Sequence, residues 1–73
     1  MGKLRRFSGR ELCMFLKSHG FLDVRQRGSH IIMQKQMGES TITVPVPDHK
    51  EIRIGTLKSI IRQSKIPHEH FEA

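Results

Sequence analysis

Within Gly28-Ser29-His30, a side chain able to move a proton near neutral pH follows directly on a turn. An imidazole with an unperturbed pKa of about 6.5 can take a proton from a hydroxyl under cellular conditions. Phe21-Leu22-Asp23-Val24-Arg25 runs before this stretch and Ile31-Ile32-Met33 after it. Gly28-Ser29, set between two apolar runs of strand length, reads as a hairpin turn, and His30 then opens the second strand. Alternation along a strand puts His30 on one face with Ile32 and Gln34, while Ile31 and Met33 point the other way. The competing reading is a hydrogen-bonded histidine at a sheet edge, doing no chemistry. Which face is buried decides between the two.

The other histidines have blander settings. His19 falls in the last turn of the first helical stretch, where a cation suits the helix dipole and a capping role follows. His49 belongs to the polar loop Pro47-Asp48-His49-Lys50-Glu51. His68 and His70 flank Glu69 close to the C-terminus, without the supporting residues a metal site needs, so no metal is expected. A single cysteine, Cys13, cannot close an intramolecular disulfide and lacks zinc-ligand companions; it is expected to pack as a small apolar residue in a reducing compartment. A chain this short has no room for a deep cofactor cavity, and none is expected.

Thirteen Lys and Arg against seven Asp and Glu leave a net charge of +6 over 73 residues, which points to a polyanionic partner such as nucleic acid. Arg25 and Arg27 lead into the turn, Gly28 and Ser29 form it, and Lys58, Arg62 and Lys65 recur at i, i+4, i+7. These are the candidate RNA-binding residues, with Gly28 allowing close approach of the backbone to a phosphate. No aromatic residue accompanies them as a stacking platform, so recognition by shape and phosphate is expected over sequence reading. No apolar run approaches the ~20 residues of a membrane span, and no charged-then-apolar segment opens the chain. No membrane partner and a cytoplasmic location are therefore expected.

The elements that must position these residues are marked by local signals. Ser8-Gly9-Arg10-Glu11 has capping-box spacing, with Phe7 and Leu12 placed as a hydrophobic staple. Leu12, Phe15, Leu16 and His19 share one helix face and Gly20 supplies a left-handed stop, which predicts a helix over about 9–19. Three strands are expected at about 21–27, 30–36 and 41–46, with a second turn at Met37-Gly38-Glu39-Ser40. Pro45 puts the third at a sheet edge or its exit. A last helix over about 56–65 buries Leu57, Ile60, Ile61 and Ser64, capped by Gly55 or Thr56 and stopped by Pro67. Phe71 can dock on the core from a short terminal turn. The result is one α+β domain spanning 1–73, ordered α-β-β-β-α. Its two helices cover one face of a three-stranded antiparallel sheet, an arrangement like the double-stranded-RNA-binding fold.

A closer resemblance lies in the succession of motifs. Leu16-Lys17-Ser18-His19-Gly20-Phe21, then Val24-Arg25-Gln26-Arg27-Gly28-Ser29-His30, then Thr43-Val44-Pro45-Val46, then Gly55-Thr56-Leu57-Lys58-Ser59-Ile60-Ile61-Arg62-Gln63 resembles the HicA toxin family, also called YcfA-like mRNA interferases. The resemblance implies a small toxin that cleaves mRNA, is neutralised by a cognate HicB antitoxin, and uses the histidine of its Gly-Ser-His motif, here His30. The chain departs from the family at three places. Ile31 stands where a second histidine is common, Met37-Gly38-Glu39 replaces Asp-Gly-Arg in the second hairpin, and the last helix runs into Ser64-Lys65-Ile66-Pro67 where a glycine is usual. Two function classes follow: a histidine-dependent endoribonuclease toxin, or a non-catalytic double-stranded-RNA-binding module on the same fold.

Overall fold

The computed structural model describes residues 2–73. The chain forms α1 (Gly9–Lys17), β1 (Leu22–Arg27), β2 (His30–Met37), β3 (Ser40–Pro47) and α2 (Ile54–Ser64), followed by a single 3-10 turn at His68–Phe71. The expected α-β-β-β-α order is what the chain adopts.

The capping box that starts α1 is fully formed. The Ser8 amide donates to Glu11 Oε1 at 2.8 Å, and the Glu11 amide donates to Ser8 Oγ at 3.0 Å. Phe7 and Leu12 are both buried beside it. The helix ends at Lys17, two residues short of the 9–19 span that the periodicity implies. Its end tightens: the amides of Gly20 and Phe21 donate to the carbonyls of Lys17 and Leu16, both at 3.0 Å, with Gly20 at φ +93°. This is the Schellman pair, so Gly20 does terminate the helix while Ser18 and His19 are drawn into the turn.

The strands lie in the order β1-β2-β3, each antiparallel to its neighbour. Both hairpins close through two residues, and in each a glycine supplies the positive φ at the first position: Gly28 at +58° and Gly38 at +59°. That is the type II′ pattern, whose twist matches the strands it joins. Met33, Val44 and Val46 are buried against the helices, with Ile31 and Ile42 packed beside them. His30 and Thr43 point to the opposite side and are exposed; Gln34 and Thr43 share a side-chain hydrogen bond of 3.3 Å there. One face of the sheet is core and the other is open.

Leu57, Ile60, Ile61 and Ser64 of α2 enter the core as expected. The helix begins earlier than 56, because the Ile52 amide is tied to the Phe7 carbonyl at 2.8 Å and the first helical bond runs from Leu57 back to Arg53. Gly55 and Thr56 therefore lie inside the first turn and cap nothing; Arg53 is the N-cap, with no side-chain hydrogen bond. Phe71 docks on the core, its ring 6.3 Å from Phe7 and 4.7 Å from Phe15 between centroids. Each such buried aromatic or aliphatic side chain contributes about 1.5–3 kcal/mol.

Candidate active site at the first hairpin

His30 pairs with Arg27 on one side and with Pro47 on the other, so it sits at the centre of the sheet's end and not at its edge. Its side chain is exposed and forms no hydrogen bond among the described residues. The sheet-edge reading, which requires a bonded imidazole, is not what the geometry provides. Arg27 is the last register partner before the turn, and Arg25 lies across from Ile32 on the same strand face. The β1–β2 hairpin thus gathers Arg25, Arg27, Gly28, Ser29 and His30 at one end of the open face.

Strict alternation would add Asp23 to that face, two residues before Arg25. A β-bulge between Asp23 and Arg25 prevents it. Beyond the bulge Asp23 pairs with Met33, on the helix-covered side, and its carboxylate meets Lys17 Nζ at 3.3 Å. Its own backbone amide and then Lys17 hold the carboxyl below its ordinary range. The bulge leaves the two arginines beside His30 without this competing carboxylate, a consequence that sequence alternation could not foresee.

The turn itself is braced from both sides. Gln26 Nε2 donates to the Gly28 carbonyl at 3.2 Å, and the Asp48 amide donates to the Ser29 carbonyl at 2.6 Å. Gly9 presses against the end of β3, where an added Cβ would lie 2.1 Å from the Pro47 carbonyl oxygen. The start of α1 therefore clamps the strand that flanks His30. Gln26 and Gly9 brace this hairpin end, and neither belongs to a sequence motif that announces it; for Gly9 the only local hint is a helix-disfavouring residue directly after the cap.

The second set of candidates lies elsewhere. Lys58 and Arg62 are exposed on α2, in the helix layer on the far side of the sheet from His30. Lys65 is not on the helix at all. It occupies the left-handed region at φ 61°, just past the last turn, so the i, i+4, i+7 stripe keeps only its first two members.

The remaining candidates behave as structural residues. His19 Nδ1 donates to the Phe15 carbonyl at 3.1 Å, as a cap does, and its Nε2 lies 3.4 Å from His70 Nδ1. His68 turns instead to Glu72 at 3.2 Å, so the terminal histidines diverge. His49 is an exposed loop residue. Cys13 is buried; burial foremost, with Asp23 and Asp48 adding to it against Lys17, pushes its thiol pKa up.

Fold and site define a small basic α+β protein with one exposed histidine set beside arginines at a hairpin end. The chain belongs to the HicA toxin family of bacterial toxin–antitoxin systems, whose family model matches residues 9–66. That match runs from the first residue of α1 past the end of α2 and includes every hairpin residue named above. The protein is thus the toxin of such a pair, and an antitoxin partner is implied. No curated protein and no solved structure matches the chain. No helix among the described residues is long and apolar enough to cross a membrane.

Proposed function

We propose that this toxin is an endoribonuclease, an mRNA interferase, with His30 as its general base. RNA supplies its own nucleophile. Neutral His30 takes the proton of a ribose 2′-hydroxyl; the 2′-oxygen bonds to the adjacent phosphorus, the P–O5′ bond breaks, and the leaving oxygen takes up a proton. The products end in a 2′,3′-cyclic phosphate and a 5′-hydroxyl. Arg25 and Arg27 stabilise charge on the phosphorus-bound oxygens as it develops, and the Gly28-Ser29 turn lets the phosphate approach the backbone. Lys58 and Arg62, in the helix layer behind the sheet, and Lys65 just past the helix hold phosphates of RNA that extends around the sheet from the hairpin end. The α-β-β-β-α order, shared with double-stranded-RNA-binding domains, supports an RNA partner. A cognate HicB-type antitoxin silences the enzyme by covering the open face around His30.

The observation that carries this reading is the Arg27–His30 cross-strand pair on the uncovered face, with Asp23 turned away by the bulge. The test is cleavage of an RNA and of its 2′-deoxy counterpart by wild type and His30→Ala. Wild type cuts only the RNA, and the variant loses roughly 10²–10⁴-fold in rate while binding persists. Binding without cleavage by the wild type would instead establish the non-catalytic RNA-binding module.

A further inference from the structure

A separate concentration of cations lies where the N-terminal arm meets the start of α2. Arg5, Arg6 and Arg53 line a groove of ≈ 680 Å³ there, and Glu51 is the only carboxylate among its lining residues. Glu51 reaches Arg6 at 3.9 Å with both side chains largely exposed, a pairing that water screens and a phosphate can displace. The Arg5 guanidinium is held 4.8 Å from the Phe7 ring centroid and 5.8 Å from that of Phe15. The arm beneath these cations is fixed: the Arg5 amide donates to the Phe71 carbonyl and the Ile52 amide to the Phe7 carbonyl, each at 2.8 Å. Beside them α2 starts with no side-chain cap and no acidic residue in its first turn, so the positive end of its dipole adds to the potential of this surface.

The groove is tied to the hairpin through the β3–α2 loop. Pro47 pairs with His30, Asp48 is bonded to Ser29, and the chain from Pro47 to Arg53 spans at most about 20 Å even fully extended. We propose that this groove is a second phosphate-binding surface, which holds the backbone of the RNA strand flanking the bond cut at His30. The inference rests on the ribonuclease reading, since it assigns a path to that enzyme's substrate. An RNA lying across His30 reaches Arg53 by turning over the end of the sheet along the loop from Pro47 to Arg53, and Arg5 and Arg6 then take the next phosphates.

The test uses the full-length protein and a 2′-O-methyl RNA of about 20 nucleotides, which binds but cannot be cut, titrated across a range of salt. Arg5→Ala/Arg6→Ala/Arg53→Ala lowers affinity about tenfold or more at physiological salt and reduces the salt slope by about 2, at ~0.7 per single-strand contact. Lys35→Ala removes a charge away from both the groove and the hairpin end and, per charge lost, changes both quantities much less. Arg6→Gln/Arg53→Gln, which leaves the Arg5 stacking intact, keeps the test available if the first variant fails to fold by circular dichroism. Equal effects per charge of the arginine set and Lys35→Ala would reduce the result to net charge and overturn the proposal, as would an unchanged slope in folded arginine variants. These failures are distinct from failure of the ribonuclease reading, which shows as wild-type protein that does not cut unmodified RNA.

Discussion

Arg27 and His30 are the last residues to face each other before the first hairpin turns, and the strand face they share is the one no helix covers. Directly opposed residues of an antiparallel pair have Cβ atoms about 4.5–5.5 Å apart, so one phosphate can engage both side chains. Arg27→Ala is expected to slow single-turnover cleavage about 10²-fold, in the range for removing one charge-stabilising donor. Arg27→Lys should restore only part of it, because an ammonium lacks the planar fork. In a double-mutant cycle with His30→Ala the two losses should fall short of multiplying; fully independent effects would separate the residues.

The turn beside His30 depends on Gly28. Nothing lies within 4 Å of a Cβ built there, so a methyl group meets no clash, but φ +58° is strained for any side chain. Gly28→Ala should cost about 1–2 kcal/mol in urea unfolding and lower cleavage with His30 intact. Wild-type stability in that variant would show that the turn has another conformation.

Gly9 makes the opposite case, with a problem of space. Its added Cβ would collide with the Pro47 carbonyl, and Pro47 is the β3 partner of His30. Gly9→Ala should destabilise by about 1–3 kcal/mol although alanine is the better helix former, because backbone has to move. A stabilised Gly9→Ala protein would contradict the close approach of α1 to β3.

Lys65 sits in the left-handed region where glycine is at ease. Relief of about 1–2 kcal/mol of strain outweighs the ~0.5–1 kcal/mol of extra chain entropy, so Lys65→Gly should raise stability by roughly 0.5–1 kcal/mol. The same variant removes a proposed phosphate contact and should bind RNA more weakly, so stability and RNA affinity move in opposite directions. A lower urea midpoint would mean that the residue is helical.

Asp23 links the bulge to α1, and its carboxyl pKa is depressed from an ordinary value of 3.8 by its backbone amide and by Lys17. A depressed carboxyl contributes stability above that value and loses it as pH falls through the lowered pKa. Wild type should therefore be more stable than Asp23→Asn at neutral pH, and the gap should close as pH falls below 3.8. A gap independent of pH would place the effect in packing alone.

Much of the architecture was legible because its signals are local. Ser8 and Glu11 close a capping box over three residues, Gly28 and Gly38 set two hairpin turns, and Ile42, Val44 and Val46 show by alternation which side of β3 is core. Once Ile31 and Met33 were placed on the covered side, His30 had to face outward. Only the tertiary structure decided what depends on contacts between distant segments. The bulge that turns Asp23 toward Lys17 breaks the period-two rule for the sake of an α1 contact, so alternation alone misassigns it. Arg53 starts α2 because Ile52 is pinned to Phe7, far away in sequence, and no motif records that bond. Local periodicity puts Lys65 on a helical stripe and carries no signal for Arg5 and Arg6. Chain packing removed the first from its helix and brought the other two to Arg53, because a side chain's neighbours are set by burial of the whole core and not by its spacing along the chain.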